Sequence, residues 1–319
     1  MNLHDKEQLT AEVKRVAQQY GAALVGVAPI ARFDPQPPYG DHAPKGHDPR
    51  DFIAGARSVI SVAQPMMNAV VDAPAFLLER ELEMVPPDAK QGYLEQHYHI
   101  MAHRVQDYML EQIAQMVGQL LMMQGHRVMI FPTAGVHPPV AGKTERQIWE
   151  GPDREWAARY SPFRYSFGLF SHRHAATRAG LGEFGYNNIV LTPQFGPRVR
   201  FNSIITDAEL VADPLLATPL CLRDRCGLCL AACHMDAVAL RDDPARRDDY
   251  RAVDRVDRDR IFVDTPAMTD APLCTRRKDG PDVAPVRGDC FRICPLPGWQ
   301  EHLPERLTGI IEEWKQTRP

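Results

Sequence analysis

The chain has 319 residues, 44% hydrophobic and 24% charged, with a formal net charge of −4. That length accommodates one large and one small domain. No apolar run nears the roughly 20 residues a membrane span needs, and the negative balance argues against a broad nucleic-acid footprint.

The N-terminal stretch MNLHDKEQLTAEVKR is polar and amphipathic. It has neither the apolar core of an export signal nor a twin-arginine pair, so a cytoplasmic chain with reduced thiols is expected. Leu9, Val13, Val16, Ala17 and Tyr20 recur at helical spacing before a stop at Gly21. The apolar run Ala22–Ala28 predicts a buried strand, and this helix–glycine–strand opening predicts a layered α/β core. Residues 29–50 hold many prolines and glycines and read as a long surface loop. A second buried strand is expected at Arg57–Ala63.

Between Leu94 and Met123 the apolar residues keep a helical period, closed by Gly125, and Arg127–Pro132 predicts a third strand. The methionines of this helix read as core packing. His99 and His103 share a face with four-residue spacing, and with His97 they read as ordinary, partly exposed histidines. Residues 133–168 form an irregular excursion with two tryptophans and two tyrosines. So much apolar surface in a loop predicts a lid or a binding loop.

A short helix over Ala175–Ala179 then runs into Gly180, Gly182 and Gly185, followed by a strand-like NIVLT, a turn at Pro193–Pro197 and a strand at Val199–Thr206. The three glycines spell G-x-G-x-x-G. The order is helix then strand, however, and a dinucleotide fingerprint needs strand then helix. The glycines are better explained by close backbone approach to something flat or bulky.

The strongest pattern is CLRDRCGLCLAACHMDAV, which places Cys221, Cys226, Cys229 and Cys233 in a C-x4-C-x2-C-x3-C spacing. The remaining cysteines of the seven are Cys274, Cys290 and Cys294, the last two in DCFRICPLPG. Disulfides would need an oxidising compartment. Structural zinc would want two C-x2-C knuckles or a Cys/His pair set, and only one C-x2-C is present, although His234 follows Cys233 directly. A C-x2-C-x3-C core with a distant C-P is how bacterial ferredoxin domains hold iron–sulfur clusters. By their crossing pattern Cys221, Cys226, Cys229 and Cys294 share a [4Fe–4S] cluster. Cys233, Cys274 and Cys290 are left for a second cluster, either [3Fe–4S] or a [4Fe–4S] with a non-cysteine fourth ligand. A short amphipathic helix is expected near Leu307–Trp314.

The ordered pieces SHRHAA, AGLGEFGYNN, LTPQFGPRVR, TDAEL, CGLCLAAC and CFRICP, from about Ser171 to Pro295, resemble the cobalamin-binding iron–sulfur family of epoxyqueuosine reductases and reductive dehalogenases. The resemblance implies an α/β (α+β) nitroreductase-like corrinoid-binding domain over residues 1–210. A ferredoxin-like two-cluster domain over 211–300 and a C-terminal helix and tail over 301–319 would follow. It implies cobalamin beside the two clusters. It further implies a low-potential external donor, a ferredoxin or flavodoxin, whose electrons pass through the clusters to cobalt to reduce a small organic substrate.

On that resemblance His174, Gly180, Gly182, Gly185, Asn187, Pro193, Gly196, Arg198 and Arg200 would approach the corrinoid or its nucleotide tail. The proton donor would come from Tyr165, Tyr186 or His172, a tyrosine being an effective acid where a neighbouring cation such as Arg164 or Arg173 lowers its pKa. Arg198 and Arg200 could instead be solvated strand-edge charges. The chain stops too soon for the helical-repeat extension with which many epoxyqueuosine reductases grip tRNA. Reduction of a small molecule by dehalogenation or deoxygenation is therefore expected ahead of action on tRNA, or of service as an electron-transfer or corrinoid-reducing partner.

Overall fold

A computed structural model of the chain describes residues 3–34, 48–77, 81, 83, 85–133, 170–233, 238–239, 261–263, 268–269, 288–298 and 303–317. The elements run α1 (Leu3–Gln19), β1 (Leu24–Pro29), α2 (Pro49–Phe52), β2 (Ser58–Pro65), α3 (Asn68–Leu77), α4 (Lys90–His99), α5 (Val105–Met123), β3 (Val128–Ile130) and α6 (His172–Arg178). They continue with β4 (Glu183–Phe184), β5 (Val190–Leu191), β6 (Val199–Thr206), α7 (Leu228–Ala231), β7 (Val238–Ala239), β8 (Met268–Thr269), α8 (Asp289–Arg292) and α9 (Glu305–Thr317). A π-turn at Ile100–Arg104 joins α4 to α5 where a single helix is predicted. The strand at Val199–Thr206 has the expected bounds.

The chain divides into two compact units, interleaved in sequence where contiguous domains are expected. One comprises Met1–Gln64, Asp107–Gly182 and Arg200–Ala217, and the other Pro65–Gln106, Glu183–Val199 and Thr218–Pro319.

The first unit is built on a sheet of order β1-β2-β6-β3. β1 pairs antiparallel with β2, and β3 antiparallel with β6. Alternate residues of these strands serve two cores, because successive side chains leave a strand on opposite faces. Val27, Ile60, Val62 and Ile204 pack with Leu9, Val13 and Ala17 of α1 and with Leu110, Ile113, Val117 and Leu121 of α5. Ala28, Val59 and Ile205 pack instead with Ala175 and Ala179, and with Phe33, Phe131 and Phe170. Both faces are covered, which explains why the strands read as continuous apolar runs rather than as alternating ones.

Two glycines and one aspartate set the edges of this layer. Gly21 adopts φ +103°, and just beyond α1 the Ala22 N–H returns to the Ala17 carbonyl at 2.9 Å. Asp213 covers the open edge of β1. Its carboxylate accepts the Val27 N–H at 2.8 Å and the Lys14 ammonium at 2.6 Å, and its own N–H donates to the Val27 carbonyl. This blunts an edge that could otherwise pair with another chain. At Gly26 a Cβ would lie 2.6 Å from the Ala179 carbonyl oxygen, so only glycine lets the end of α6 sit so close to β1.

The second unit has two small apolar clusters and several buried ion pairs. One cluster gathers Val71, Tyr98 and Ala102 with Ile189 and Cys290, and the other Leu228, Ala232, Ile293, Leu307 and Ile311 with Trp314. Arg198, Arg223 and Arg292 are all buried. Arg198 makes a two-pronged pair with Asp72 of α3 at 2.8 and 2.9 Å. Arg292 donates to the Val71 carbonyl at 2.8 Å and to Asp289 at 3.2 Å, and Asp289 also pairs with Arg306. Buried charges of this kind are tolerated only when paired and hydrogen-bonded.

Two stability measurements follow from this packing. Gly26→Ala forces the Ala179 carbonyl away and lowers the unfolding free energy by about 2 kcal/mol, read from urea denaturation. Asp72→Asn strands the Arg198 guanidinium at a site where the side-chain exposures are 3% and 9%. It costs about 3–5 kcal/mol, while the double change Asp72→Leu/Arg198→Met costs less than the single one.

Candidate metal centre

The hairpin of β4 and β5 is the scaffold of the cysteine segments. Glu183 pairs with Leu191 and Phe184 with Val190. Between them the Gly185 N–H reaches the Ile189 carbonyl at 2.8 Å, and Asn188 takes a left-handed φ of 59°, a conformation asparagine tolerates better than most residues. Asn187 accepts the Ile189 N–H at 3.2 Å and donates from Nδ2 to the Cys290 carbonyl at 3.1 Å. The hairpin thus holds one cysteine segment by its turn.

It holds the other by its first residue. The Glu183 carboxylate is fully buried. Its Oε1 accepts the N–H groups of Leu220 at 2.5 Å and Cys221 at 2.7 Å, and its Oε2 accepts Arg223 Nη2 at 2.9 Å and the Phe262 N–H at 3.2 Å. Arg223 lies over the Phe262 ring, 4.0 Å from its centroid.

The thiols crowd together in this setting. Burial pushes Cys229 well above the usual thiol range, reinforced in turn by Cys221, Cys290, Cys226 and Cys294. Burial likewise raises Cys294 to about 12, with Cys221 and Cys226 adding to it and the Leu296 N–H and the Arg198 guanidinium opposing. Cys221 is raised by burial and pulled back by the N–H groups of Tyr186 and Arg223. The six described cysteines, these five and Cys233, form no disulfide; Cys274 lies outside the described residues.

Neighbouring thiols whose pKa values burial and mutual repulsion raise are poor company as thiolates and good ligands for a centre that supplies positive charge. The donor set therefore fits a thiolate-bound cluster. Among the described residues no three His, Cys, Asp or Glu side chains converge as for a single metal ion. In a cluster, by contrast, each cysteine binds its own iron.

Two further contacts close the pocket's surroundings. Gly196, at φ +53°, comes so near the Leu296 carbonyl that a Cβ would stand 2.1 Å from its oxygen. This fits the LTPQFGPR turn onto the chain just after Cys294. Trp314 of α9 donates its indole N–H to the Cys226 carbonyl at 2.8 Å.

The residues singled out in the sequence fall into both units. Gly185, Tyr186, Asn187, Pro193, Gly196 and Arg198 belong with the cysteines. Tyr186 is buried and Pro193 exposed. His172, His174, Gly180, Gly182 and Arg200 belong to the first unit. There His172 Nε2 meets the Pro132 carbonyl at 3.0 Å, so that nitrogen carries the proton, and Nδ1 meets the Ser203 hydroxyl at 3.0 Å. His174 Nδ1 is 2.6 Å from the Ser171 hydroxyl that caps α6.

A Cβ on Gly180 would lie 1.9 Å from the Pro214 carbonyl oxygen. Arg200 pairs with Asp107 at 2.5 Å. Tyr165 and the expected lid at 133–168, apart from Thr133, lie outside the described residues. The described neighbours at Gly180 and Gly196 are the chain's own backbone, and Arg198 and Arg200 pair with Asp72 and Asp107.

Sequence reasoning passed over Glu183, Arg223, Asp72, Arg292 and Trp314. A usable signal existed for two of them. A glutamate amid the glycines of GLGEFG and an arginine between two cysteines are both costly to bury unless they meet.

No family model matches the chain. A 72-residue stretch is 39% identical to tetrachloroethene reductive dehalogenase from Desulfitobacterium hafniense, spanning 22% of this chain and 13% of that protein. Among solved structures, the catabolic reductive dehalogenase NpRdhA superposes with a TM-score of 0.54 at 15% identity, over 99% of this chain and 37% of its own. Epoxyqueuosine reductase from Bacillus subtilis superposes with a TM-score of 0.51 at 15% identity, over 93% of this chain and 68% of its own. This chain therefore spans about a third of the dehalogenase structure and about two thirds of the epoxyqueuosine reductase. These proteins are reductases, and at such identity the likeness is one of fold. The resemblance read from the motifs holds at that level: the chain has the fold shared by epoxyqueuosine reductases and reductive dehalogenases.

Proposed function

We propose that the chain is a cobalamin-dependent iron–sulfur reductase of a small organic substrate, acting by reductive dehalogenation or deoxygenation in the cytoplasm. The observation that carries this reading is the convergence of half-buried Cys221, Cys226, Cys229, Cys290 and Cys294, none of them in a disulfide. It is supported by the fold likeness to a reductive dehalogenase whose structure suggested a mechanism for B12-dependent dehalogenation, with a TM-score of 0.51 at 15% identity over 98% of this chain and 35% of that one.

In this reading Cys221, Cys226, Cys229 and Cys294 hold one [4Fe–4S] cluster. Cys290, with Cys233 and Cys274, serves a second [4Fe–4S] or [3Fe–4S] cluster. Bound clusters and cobalamin supply one-electron chemistry that no side chain offers. The chain's own part is to bury the thiolates, to donate the Tyr186 and Arg223 N–H groups to Cys221, and to set the Arg198 charge against Cys294. Hydrogen bonds to the sulfurs and nearby charge are the protein's levers on cluster potential.

The corrinoid is proposed on fold likeness, and no described side chain is assigned to hold it. The proton donor is proposed among Tyr165, Tyr186 and His172. Of these, His172 has its Nε2 proton committed to the Pro132 carbonyl, which favours a tyrosine. A ferredoxin or flavodoxin would deliver the electrons.

Anaerobic purification with iron, sulfide and cobalt analysis and electron paramagnetic resonance tests the cofactor set. Equimolar iron and labile sulfide are expected, with stoichiometric cobalamin retained after reconstitution. Cys229→Ser is expected to lower the iron content by about half, through loss of one of two clusters. A colourless, iron-free protein overturns the reading.

The substrate class is tested with a low-potential donor. Halide release is expected from a halogenated hydroxybenzoate such as the 3-bromo-4-hydroxybenzoic acid seen in complex with NpRdhA. Turnover of an epoxyqueuosine-modified stem-loop with no turnover of small molecules would reassign the chain to tRNA.

A further inference from the structure

We infer that Glu183 is a positioning residue for the first cluster ligand: its carboxylate fixes the backbone of Cys221 and neutralises Arg223 beside it. The inference rests on reading the cysteines as cluster ligands and deepens that reading.

The argument begins with what holds each cysteine's backbone. Cys226 closes a 3₁₀ turn, its N–H on the Arg223 carbonyl at 2.9 Å, and Cys229 lies within α7. Cys290 lies within α8, and Cys294 follows it by two residues. Cys221 has no such support, because Leu220, Cys221 and Leu222 lie in no helix or strand. The N–H groups of Leu220 and Cys221 are satisfied instead by Glu183 Oε1, from 37 and 38 residues away. One carboxylate oxygen thus does for this cysteine what the 3₁₀ turn does for Cys226.

The second oxygen addresses charge. Oε2 takes Arg223 Nη2 and the Phe262 N–H, at side-chain exposures of 1% for Arg223 and 0% for Glu183. A buried anion with four donors is well compensated. The pair is neutral as a unit, so neither charge alone biases a cluster on Cys221. Removing only the anion leaves a buried guanidinium two residues from that ligand, and a cation there favours the reduced, more negative cluster.

Three variants of the holoprotein separate these roles. Glu183→Gln keeps an oxygen for Leu220 and Cys221 but not the charge. Glu183→Leu loses both. Glu183→Gln/Arg223→Met removes the cation as well. Iron release to a chelator and the cluster midpoint potential, followed by electron paramagnetic resonance, are the readouts.

Glu183→Leu is expected to release iron on the order of tenfold to a hundredfold faster, from loss of two charge-assisted hydrogen bonds. Glu183→Gln is expected to release it near the wild-type rate, with one cluster's potential shifted positive. The double variant returns that potential toward wild type. Should Glu183→Leu not fold, the Gln variant and the double variant still decide the matter through the potential. A potential unmoved in Glu183→Gln overturns the inference, as does wild-type iron release in Glu183→Leu. Wild-type protein devoid of iron and sulfide overturns the cluster reading itself.

Discussion

Compensation of buried charge is the constraint on which the second unit depends. Its apolar clusters are small, yet it brings five thiols together and buries Arg198, Arg223 and Arg292. Each arginine ties a segment at the cysteine pocket to another part of the chain. Arg223, within the first cysteine run, reaches Glu183 of the hairpin. Arg292, within the second, reaches the Val71 carbonyl of α3. Arg198, the last residue of the LTPQFGPR turn, reaches Asp72 one residue further along α3. A buried ion pair is weak support for stability, since desolvation offsets most of the attraction. Its value here is specificity: a misplaced segment would leave a charge or a row of N–H groups unpaired, which costs far more than a misplaced leucine.

The same logic explains why the glycine-rich motifs look as they do. G-E-F-G-Y-N-N and L-T-P-Q-F-G-P-R were expected to approach a cofactor. Their described contacts are with the cysteine segments: Glu183 with Leu220 and Cys221, Asn187 with Cys290, Gly196 with Leu296. Glycine at position 196 is demanded by a left-handed φ and by a carbonyl that leaves no room for a Cβ. The residue type therefore reports that something comes close, and the identity of the neighbour depends on a contact a hundred residues away.

This marks where the sequence was legible. Local periodicity was enough for α1, for the strand at Val199–Thr206 and for the C-terminal helix, because burial of one face or of both writes a pattern into neighbouring residues. The π-turn at Ile100–Arg104 was not legible, since one extra residue per turn barely disturbs an apolar stripe. Nor was α3, whose Asp72 matters only through Arg198. The cysteine spacing that points to a cluster was legible because ligand spacing is a local property of the chain. The interleaving of the two units was invisible for the opposite reason: residues 65–106 and 183–199 join the cysteine segments through long-range pairs that no window of sequence contains.

A consequence follows for the relation between motif and substrate. Two of the motifs that carry the resemblance, AGLGEFGYNN and LTPQFGPRVR, have described contacts with the cysteine segments, and Arg198, Arg200 and Arg292 in the motifs pair with aspartates of this chain. A scaffold that spends such residues on holding its cysteine segments can keep them while the substrate changes. Cluster potential is set by N–H groups and charges within a few ångströms of sulfur, whereas substrate choice is set by whatever lines the reacting pocket. A reductive dehalogenase and an epoxyqueuosine reductase sharing one fold with this chain is what such a division of labour predicts. On the proposed cluster reading Glu183 and Arg223 belong to the electron-transfer side of that division, and changes there should alter potential without altering which substrate is accepted.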